Sequence, residues 1–223
     1  MQKVYFISGL GADERAFSQL DLSFCQPVYL PWIVPEIEET IAHYAARISK
    51  GIDEQYPVVV GLSFGGMIAI EIAKQRPVKK LILISSAKTW HEFPLWLIAL
   101  RYVQVHKLVK ANLLKHLNSF AYRLMGVDDR ADKILFKRMF IESDDRIVDW
   151  SVNSIIHWAN EKYPGNLTHI HGTKDILLPY SRVKADIAVE GGEHLMPLIQ
   201  PELVSELLQS LIMQADEVVH DKP

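Results

Sequence analysis

Gly61-Leu62-Ser63-Phe64-Gly65 is the segment of this sequence best suited to covalent chemistry. The β-branched run Pro57 to Leu62 ends directly before the serine. The run Phe64 to Arg76 after it reads as a helix stopped by Pro77. A turn this tight between strand and helix tolerates almost no neighbouring side chain, hence glycine at 61 and 65, and Gly66 lets the helix pack closely on the sheet. It lifts the Ser63 hydroxyl above the sheet edge, at the positive end of a helix. A hydroxyl alone is a poor nucleophile and needs a base oriented by a third group. Asp175 follows the strand candidate Asn166 to His171 through Gly172-Thr173-Lys174, and His194 follows Ala185 to Glu190 through Gly191-Gly192-Glu193. Both fall at the carboxyl ends of strands, where the sites of open parallel sheets gather. Plainer readings exist for each: a structural glycine-rich turn at Ser63, a turn-stabilising aspartate at 175, and a loop histidine capping the next helix at 194.

The elements that must position these groups alternate. Lys3 to Ser8 reads as a buried strand ending in Gly9-Leu10-Gly11, with Asp13 placed to cap a short helical turn through Phe17. Pro27 to Leu30 is a second strand. Pro35 to Lys50 has Ile37, Ile41, Ala45 and Ile48 on one stripe, acids early and bases late, which predicts a helix complementing its own dipole. Pro57 to Leu62 and Val78 to Ser85 are continuous apolar strands of the kind buried on both faces. The order predicts a doubly wound, mainly parallel α/β sheet of about six strands.

The rhythm breaks between Lys88 and Glu161. This stretch is helical and aromatic in pattern, with Trp90, Trp96, Tyr102, Phe120, Tyr122, Phe136, Phe140, Trp150 and Trp158. Its first half is basic (Arg101, Lys107, Lys110 and Lys115 among others) and its second half holds six aspartates. It reads as a helical insertion, 88–161, in a core made of 1–87 and 162–223. A final helix opens at Pro201 with Leu203, Leu207, Leu208 and Leu211 as its expected buried face, and the polar tail from Asp216 to Pro223 is expected to fray.

Composition narrows the function classes. The 223 residues fit one domain with a small insertion, and 49% hydrophobic against 23% charged residues is ordinary globular composition. A formal net charge of -3 argues against nucleic-acid binding. Cys25 is the single cysteine, which excludes an internal disulfide and suits a reducing compartment, the cytoplasm. Val4 to Ile7 is ended by Gly9 and Gly11 before any signal-type core develops, and Phe93 to Leu100 is too short to span a bilayer. His169 and His171 share one strand face at a spacing that a metal could use, but no further ligand cluster accompanies them, so no metal is expected. Gly9 and Gly11 complete neither a Rossmann nor a P-loop pattern, and no cofactor is expected.

Four motifs together resemble the α/β-hydrolase family: Ser8-Gly9-Leu10-Gly11-Ala12-Asp13, Gly61-Leu62-Ser63-Phe64-Gly65-Gly66, His171-Gly172-Thr173-Lys174-Asp175 and Gly191-Gly192-Glu193-His194. The resemblance spans nearly the whole chain apart from the insertion, and the order Ser, Asp, His is the one the family uses. It implies Ser63 as nucleophile, Asp175 as acid, His194 as base, the backbone amides of Leu10 and Phe64 as oxyanion donors, and 88–161 as a cap. Ser8 stands where the family commonly has histidine. The chain also begins with what would be the family's third strand, which implies a trimmed sheet. The implied activity is hydrolysis of an ester or thioester of a small to medium acyl substrate. Acyltransferase, lactonase and lyase chemistry, a small-molecule binding module of the same fold and a scaffold role remain open alternatives, as does the oligomeric state.

Overall fold

A computed structural model of the protein describes residues 1–102 and 118–220. The basic residues Lys107, Lys110 and Lys115 lie outside the described residues, and so does the side chain of Phe120. Six strands, β1 (Lys3–Ile7), β2 (Gln26–Tyr29), β3 (Val58–Leu62), β4 (Lys80–Ile84), β5 (Leu167–Gly172) and β6 (Ile187–Val189), form one sheet in the order β2-β1-β3-β4-β5-β6. Every neighbouring pair is parallel.

Alternation along the strands divides the core in two. On one face Tyr5, Ile7, Val59, Leu81 and Leu83 pack against α1 (Ile41–Ile48) and α2 (Phe64–Gln75). On the other, Val4, Phe6, Val60, Ile82 and Ile84 meet Val204, Leu208, Leu211 and Ile212 of the last helix, α8 (Pro201–His220). Since successive side chains of a strand point to opposite faces, a sheet covered by helices on both sides needs apolar residues at every position, and β3 is buried throughout. Between β4 and β5 the chain forms α3 (Leu95–Ala99), α4 (Asn118–Met125), α5 (Arg130–Glu142) and α6 (Asp145–His157). The short α7 (Met196–Ile199) precedes α8. Among the described residues no helix is long and apolar enough to cross a membrane.

Three sequence expectations are corrected. The helix expected from Pro35 starts only at Ile41, where the Thr40 hydroxyl accepts the His43 N–H at 3.2 Å. Before it, Glu39 N–H bonds Glu36 C=O in a turn containing Glu38 at φ 55°, which cannot run on into a helix. Glu39 is therefore no dipole-compensating surface acid: its side chain is buried, 2.6 Å from Arg47 Nη1 and 2.7 Å from His43 Nδ1. Burial works to raise its carboxyl, but the Glu36 N–H at 2.8 Å, with Arg47 and His43, holds it below the usual range. Ile37, assigned to the apolar stripe, is 97% exposed. In α8 the buried stripe is Val204, Leu208, Leu211 and Ile212, while Leu203 faces solvent, because the phase set by Pro201 puts Val204 toward the sheet. The backbone of α8 continues through His220, past the point where fraying is expected.

Both ends of the segment between β4 and β5 are fastened at one polar knot. Glu71 of α2, 4% exposed, accepts Trp158 Nε1 at 2.9 Å and Lys74 Nζ at 3.0 Å. Lys74 also donates to Asn160 Oδ1, Asn160 Nδ2 donates to Lys88 C=O at 2.8 Å, and Trp90 N–H donates to Asn160 C=O at 3.1 Å. Asn160→Ala strands the buried Lys88 carbonyl and should lower stability by about 1–3 kcal/mol. Urea unfolding is expected to show an earlier midpoint at unchanged m; a midpoint equal to wild type would mean that the knot holds nothing.

Candidate active site

Ser63 stands between β3 and α2 with φ 52° and ψ -120°, a region that non-glycine residues rarely occupy. Its N–H donates to Ile84 C=O at 2.9 Å, its C=O accepts Gly66 N–H at 2.9 Å, and Ser86 Oγ donates to the same carbonyl at 2.7 Å. These bonds hold the strained residue in place. The turn also needs contacts no side chain would permit. A Cβ on Gly65 would lie 2.3 Å from the carbonyl oxygens of Ile7 and Ser8, and one on Gly61 would lie 2.5 Å from Gly66 Cα.

From Ser63 a hydrogen-bonded chain runs inward. Ser63 Oγ lies 2.8 Å from His194 Nε2, and His194 Nδ1 lies 2.7 Å from Asp175 Oδ2. The other carboxylate oxygen of Asp175 accepts Leu178 N–H at 2.8 Å. His194 and Asp175 are both buried. The two loops carrying them are joined to each other, since Thr173 N–H donates to Val189 C=O, Lys174 N–H to Gly192 C=O, and Gly191 N–H to Thr173 Oγ1. All three sequence-derived candidates thus meet in one place.

Leu10 sits in the turn after β1, closed by Ala12 N–H on Gly9 C=O at 3.1 Å. The turn runs beside the serine: a Cβ on Gly9 would lie 3.2 Å from Ser63 Cβ. Phe64 is the first residue of α2, where a backbone donor has no acceptor within the helix. Both residues line the same cavity as Ser63 and His194. Ser8 supplies the turn with a support of its own, because its hydroxyl donates to Ala12 C=O at 2.8 Å and accepts Trp32 Nε1–H at 2.9 Å. Trp32 in turn lies flat on Phe64, with centroids 5.5 Å apart and planes 4° from parallel.

The cavity above the hydroxyl measures about 430 Å³. Apart from Ser63 and His194 its lining is apolar: Leu10, Phe64, Met67 and Leu178 from the sheet side, and Trp96, Phe136, Phe140, Val152 and Ile155 from the helices between β4 and β5. Those helices touch the loops of the site directly. Phe140 of α5 lies over Gly11, at φ 69°, where a Cβ would come within 2.0 Å of the ring. Leu195 N–H donates to Met125 C=O at 3.1 Å, next to His194. Of the other aromatic residues in the segment, Trp150 packs on Tyr44 and Phe64, Trp158 is buried at the polar knot, and Tyr102 is exposed. The sequence carried no signal for Ser86, Trp32 or Leu178; Phe140 was visible only as one aromatic among several.

Among the described residues one trio, Glu36, Glu39 and His43, could converge on a cation, but Arg47 already lies 3.3 Å from Glu36 and 2.6 Å from Glu39. His169 Nε2 and His171 Nδ1 lie 3.3 Å apart on β5, with no third metal-ligating side chain grouped with them among the described residues. Burial pushes both imidazoles below their ordinary range, His169 far below; Asp175 and the Leu178 carbonyl oppose the fall at His171.

The fold and this arrangement define a class. The sheet order, the all-parallel pairing and the strand-to-helix turn at its centre are those of the α/β-hydrolase fold. No family model and no curated protein matches the sequence. Solved structures do. An esterase from Exiguobacterium antarcticum aligns with TM-score 0.72 and 15% identity over 96% of this chain and 92% of its own. A lipase-esterase related protein from Clostridium acetobutylicum aligns with TM-score 0.69 and 15% identity, covering 94% of each chain. A thermophilic esterase from Thermogutta terrifontis aligns with TM-score 0.68 and 14% identity, covering 96% and 90%.

Two outcomes test this geometry. Gly65→Ala should cost at least about 2 kcal/mol, because the methyl group meets backbone on β1 that cannot move alone; a variant as stable as wild type would contradict the close contact. Stability should also fall between about pH 6.5 and pH 5. In that window unfolded histidines take up protons more readily than the buried His169 and His171, so the unfolded state binds more protons and stability rises with pH. Thermal melts across the window should show the loss, and His169→Leu should flatten the slope.

Proposed function

We propose that the protein is a serine hydrolase that cleaves a carboxylic ester or thioester of a small to medium, apolar acyl substrate. The observation that carries this reading is the unbroken chain from Ser63 Oγ through His194 to Asp175, opening onto an apolar cavity. The esterases among the structural neighbours agree with it.

In the proposed mechanism His194 Nε2 takes the Ser63 proton as the oxygen attacks the acyl carbonyl carbon. The carbonyl π electrons move onto oxygen, giving a tetrahedral oxyanion that the backbone N–H groups of Leu10 and Phe64 receive. Each such donor typically contributes about 3–4 kcal/mol to the transition state. Asp175 keeps the Nδ1–H tautomer of His194 and stabilises the imidazolium. His194 then gives its proton to the leaving alcohol or thiol, leaving an ester on Ser63. Water, deprotonated by His194, attacks that ester, and the acid is released with Ser63 reprotonated. The helices of 88–161 act as a cap that supplies the apolar wall. No metal and no cofactor take part in this reading. Cys25, buried and pushed up to about 11 by burial, is a packing residue that suits a reducing cytoplasm.

Ser63→Ala should abolish turnover of p-nitrophenyl esters and covalent labelling by a fluorophosphonate, and Asp175→Asn should lower kcat by about 10⁴. Labelling of Ser63 with no repeated turnover on any ester would instead assign a binding protein. A second prediction concerns the acyl group. Neutral chains should be cleaved at least about tenfold faster, in kcat/KM, than chains of equal length ending in a carboxylate, which finds no charged partner in the described lining. Equal rates on matched neutral and ω-carboxyl esters would refute the apolar pocket.

A further inference from the structure

The two histidines of β5 are buried titratable groups beside the site for which the proposed mechanism has no use. His171 is fully buried, and its ring approaches the same Asp175 oxygen, Oδ2, that His194 Nδ1 reaches at 2.7 Å. Its Nε2 lies 2.8 Å from Leu178 C=O and 3.4 Å from Asp175 Oδ2. Leu178 is also the residue whose N–H bonds Asp175 Oδ1. One residue, Leu178, therefore faces the acid with its donor and His171 with its acceptor. The segment from Asp175 to Leu178 is held at both polar groups of its last peptide-bearing residue.

A proton count sets the state of the ring. The Leu178 carbonyl can only accept, so His171 Nε2 carries hydrogen. In the neutral ring Nδ1 is then a bare acceptor. It lies 3.3 Å from His169 Nε2, and His169 Nδ1 is a buried atom without a hydrogen-bond partner. His169 Nε2 also accepts the Ser86 backbone N–H at 3.4 Å. A doubly protonated His171 could also satisfy these contacts. It would place a cation between Asp175 and the rest of a desolvated pocket, where it would compete with His194 for Oδ2. The groups that act on the ring are Asp175, the Leu178 carbonyl and Glu92, which favour its charged form, and His194, which opposes it, while His171 and Lys88 oppose charge on His169. Burial outweighs the attraction of Asp175 and keeps the ring neutral.

We infer that neutral His171 is a positioning residue for the acid: its Nε2–H fixes the Leu178 carbonyl, and the Leu178 N–H in turn fixes Asp175 Oδ1, leaving Oδ2 free to take the Nδ1–H of His194. The inference rests on the reading of Ser63, His194 and Asp175 as a catalytic triad. It extends that triad by one peptide unit and one ring.

The test compares His171→Phe, which keeps a flat ring without the donor, with His171→Gln, whose Nε2 reaches to about the position of the imidazole Nε2 and can donate. After active-site titration with a fluorophosphonate, kcat per titrated serine should fall roughly tenfold to a hundredfold in His171→Phe, with KM changed little. The Gln variant should recover most of that loss. The His194 Nδ1–H proton resonance, which reports its bond to Asp175 without any substrate, should move upfield in the Phe variant and return in the Gln variant. Wild-type kcat and an unmoved resonance in folded His171→Phe overturn the inference, and so does a Gln variant as impaired as Phe. Should the Phe variant not fold, nitrogen-15 spectra of the wild-type protein decide alone. An Nε2-protonated, neutral His171 at neutral pH supports the inference, and an Nδ1-protonated or doubly protonated ring overturns it. Absence of Ser63-dependent turnover in the wild type would overturn the hydrolase reading, whereas the resonance comparison tests the positioning of Asp175 in either case.

Discussion

Everything in this molecule that could act on a substrate depends on one strained turn. Ser63 occupies a backbone conformation that costs an isolated residue about 1–3 kcal/mol. It is held there because its N–H reaches across to β4, its carbonyl is bound twice, and its neighbours lack the atoms that would push it away. The position of that turn follows from the sheet. β3 lies between β1 and β4, so the turn after β1 brings Leu10 on one side and the segment after β4 brings Ser86 on the other. β5 and β6 lie further along the same edge and send Asp175 and His194 back toward the serine. A parallel sheet points all its strand ends the same way, and this is why residues more than a hundred positions apart meet within hydrogen-bond distance.

The helices between β4 and β5 complete the site on the side away from the sheet. They supply much of the apolar lining and rest on the loops that carry the polar groups, with Phe140 on Gly11 and Met125 bonded to Leu195. The wall of the cavity and the position of its reactive groups are therefore not independent. A displaced helix would disturb the turn of Leu10 as well as the volume available to a ligand.

Much of this was legible in the sequence. The central strands were, because burial on both faces demands continuous β-branched and aliphatic residues, and Val58 to Leu62 and Leu81 to Ile84 leave few other readings. Ser63, Asp175 and His194 were legible because glycines mark the turns that carry them. The region before α1 was not. Its acids and its isoleucine fit a helical stripe, whereas Glu39 is drawn inward by Arg47 and roofed by Trp150, whose indole N–H donates to the Glu39 carbonyl. Trp150 lies 111 positions away, beyond the reach of any local pattern. The pairing of His169 with His171 followed from strand alternation, but the carbonyl that receives His171 belongs to a turn whose path only the fold determines.

The polar knot at Asn160 bears on how such a chain can change over time. The backbone departs from the sheet side at Lys88 and comes back at Asn160 to the same spot, the two bonded side chain to carbonyl. A loop whose ends are already neighbours is closed at an entropic cost that grows only with the logarithm of its length. Segments of quite different size and composition could be exchanged above that point while the sheet below kept its pairing. Each new roof would have to bring its own counterparts of Phe140 on Gly11 and Met125 on Leu195, so an exchange of the segment would also reset the loops beneath it.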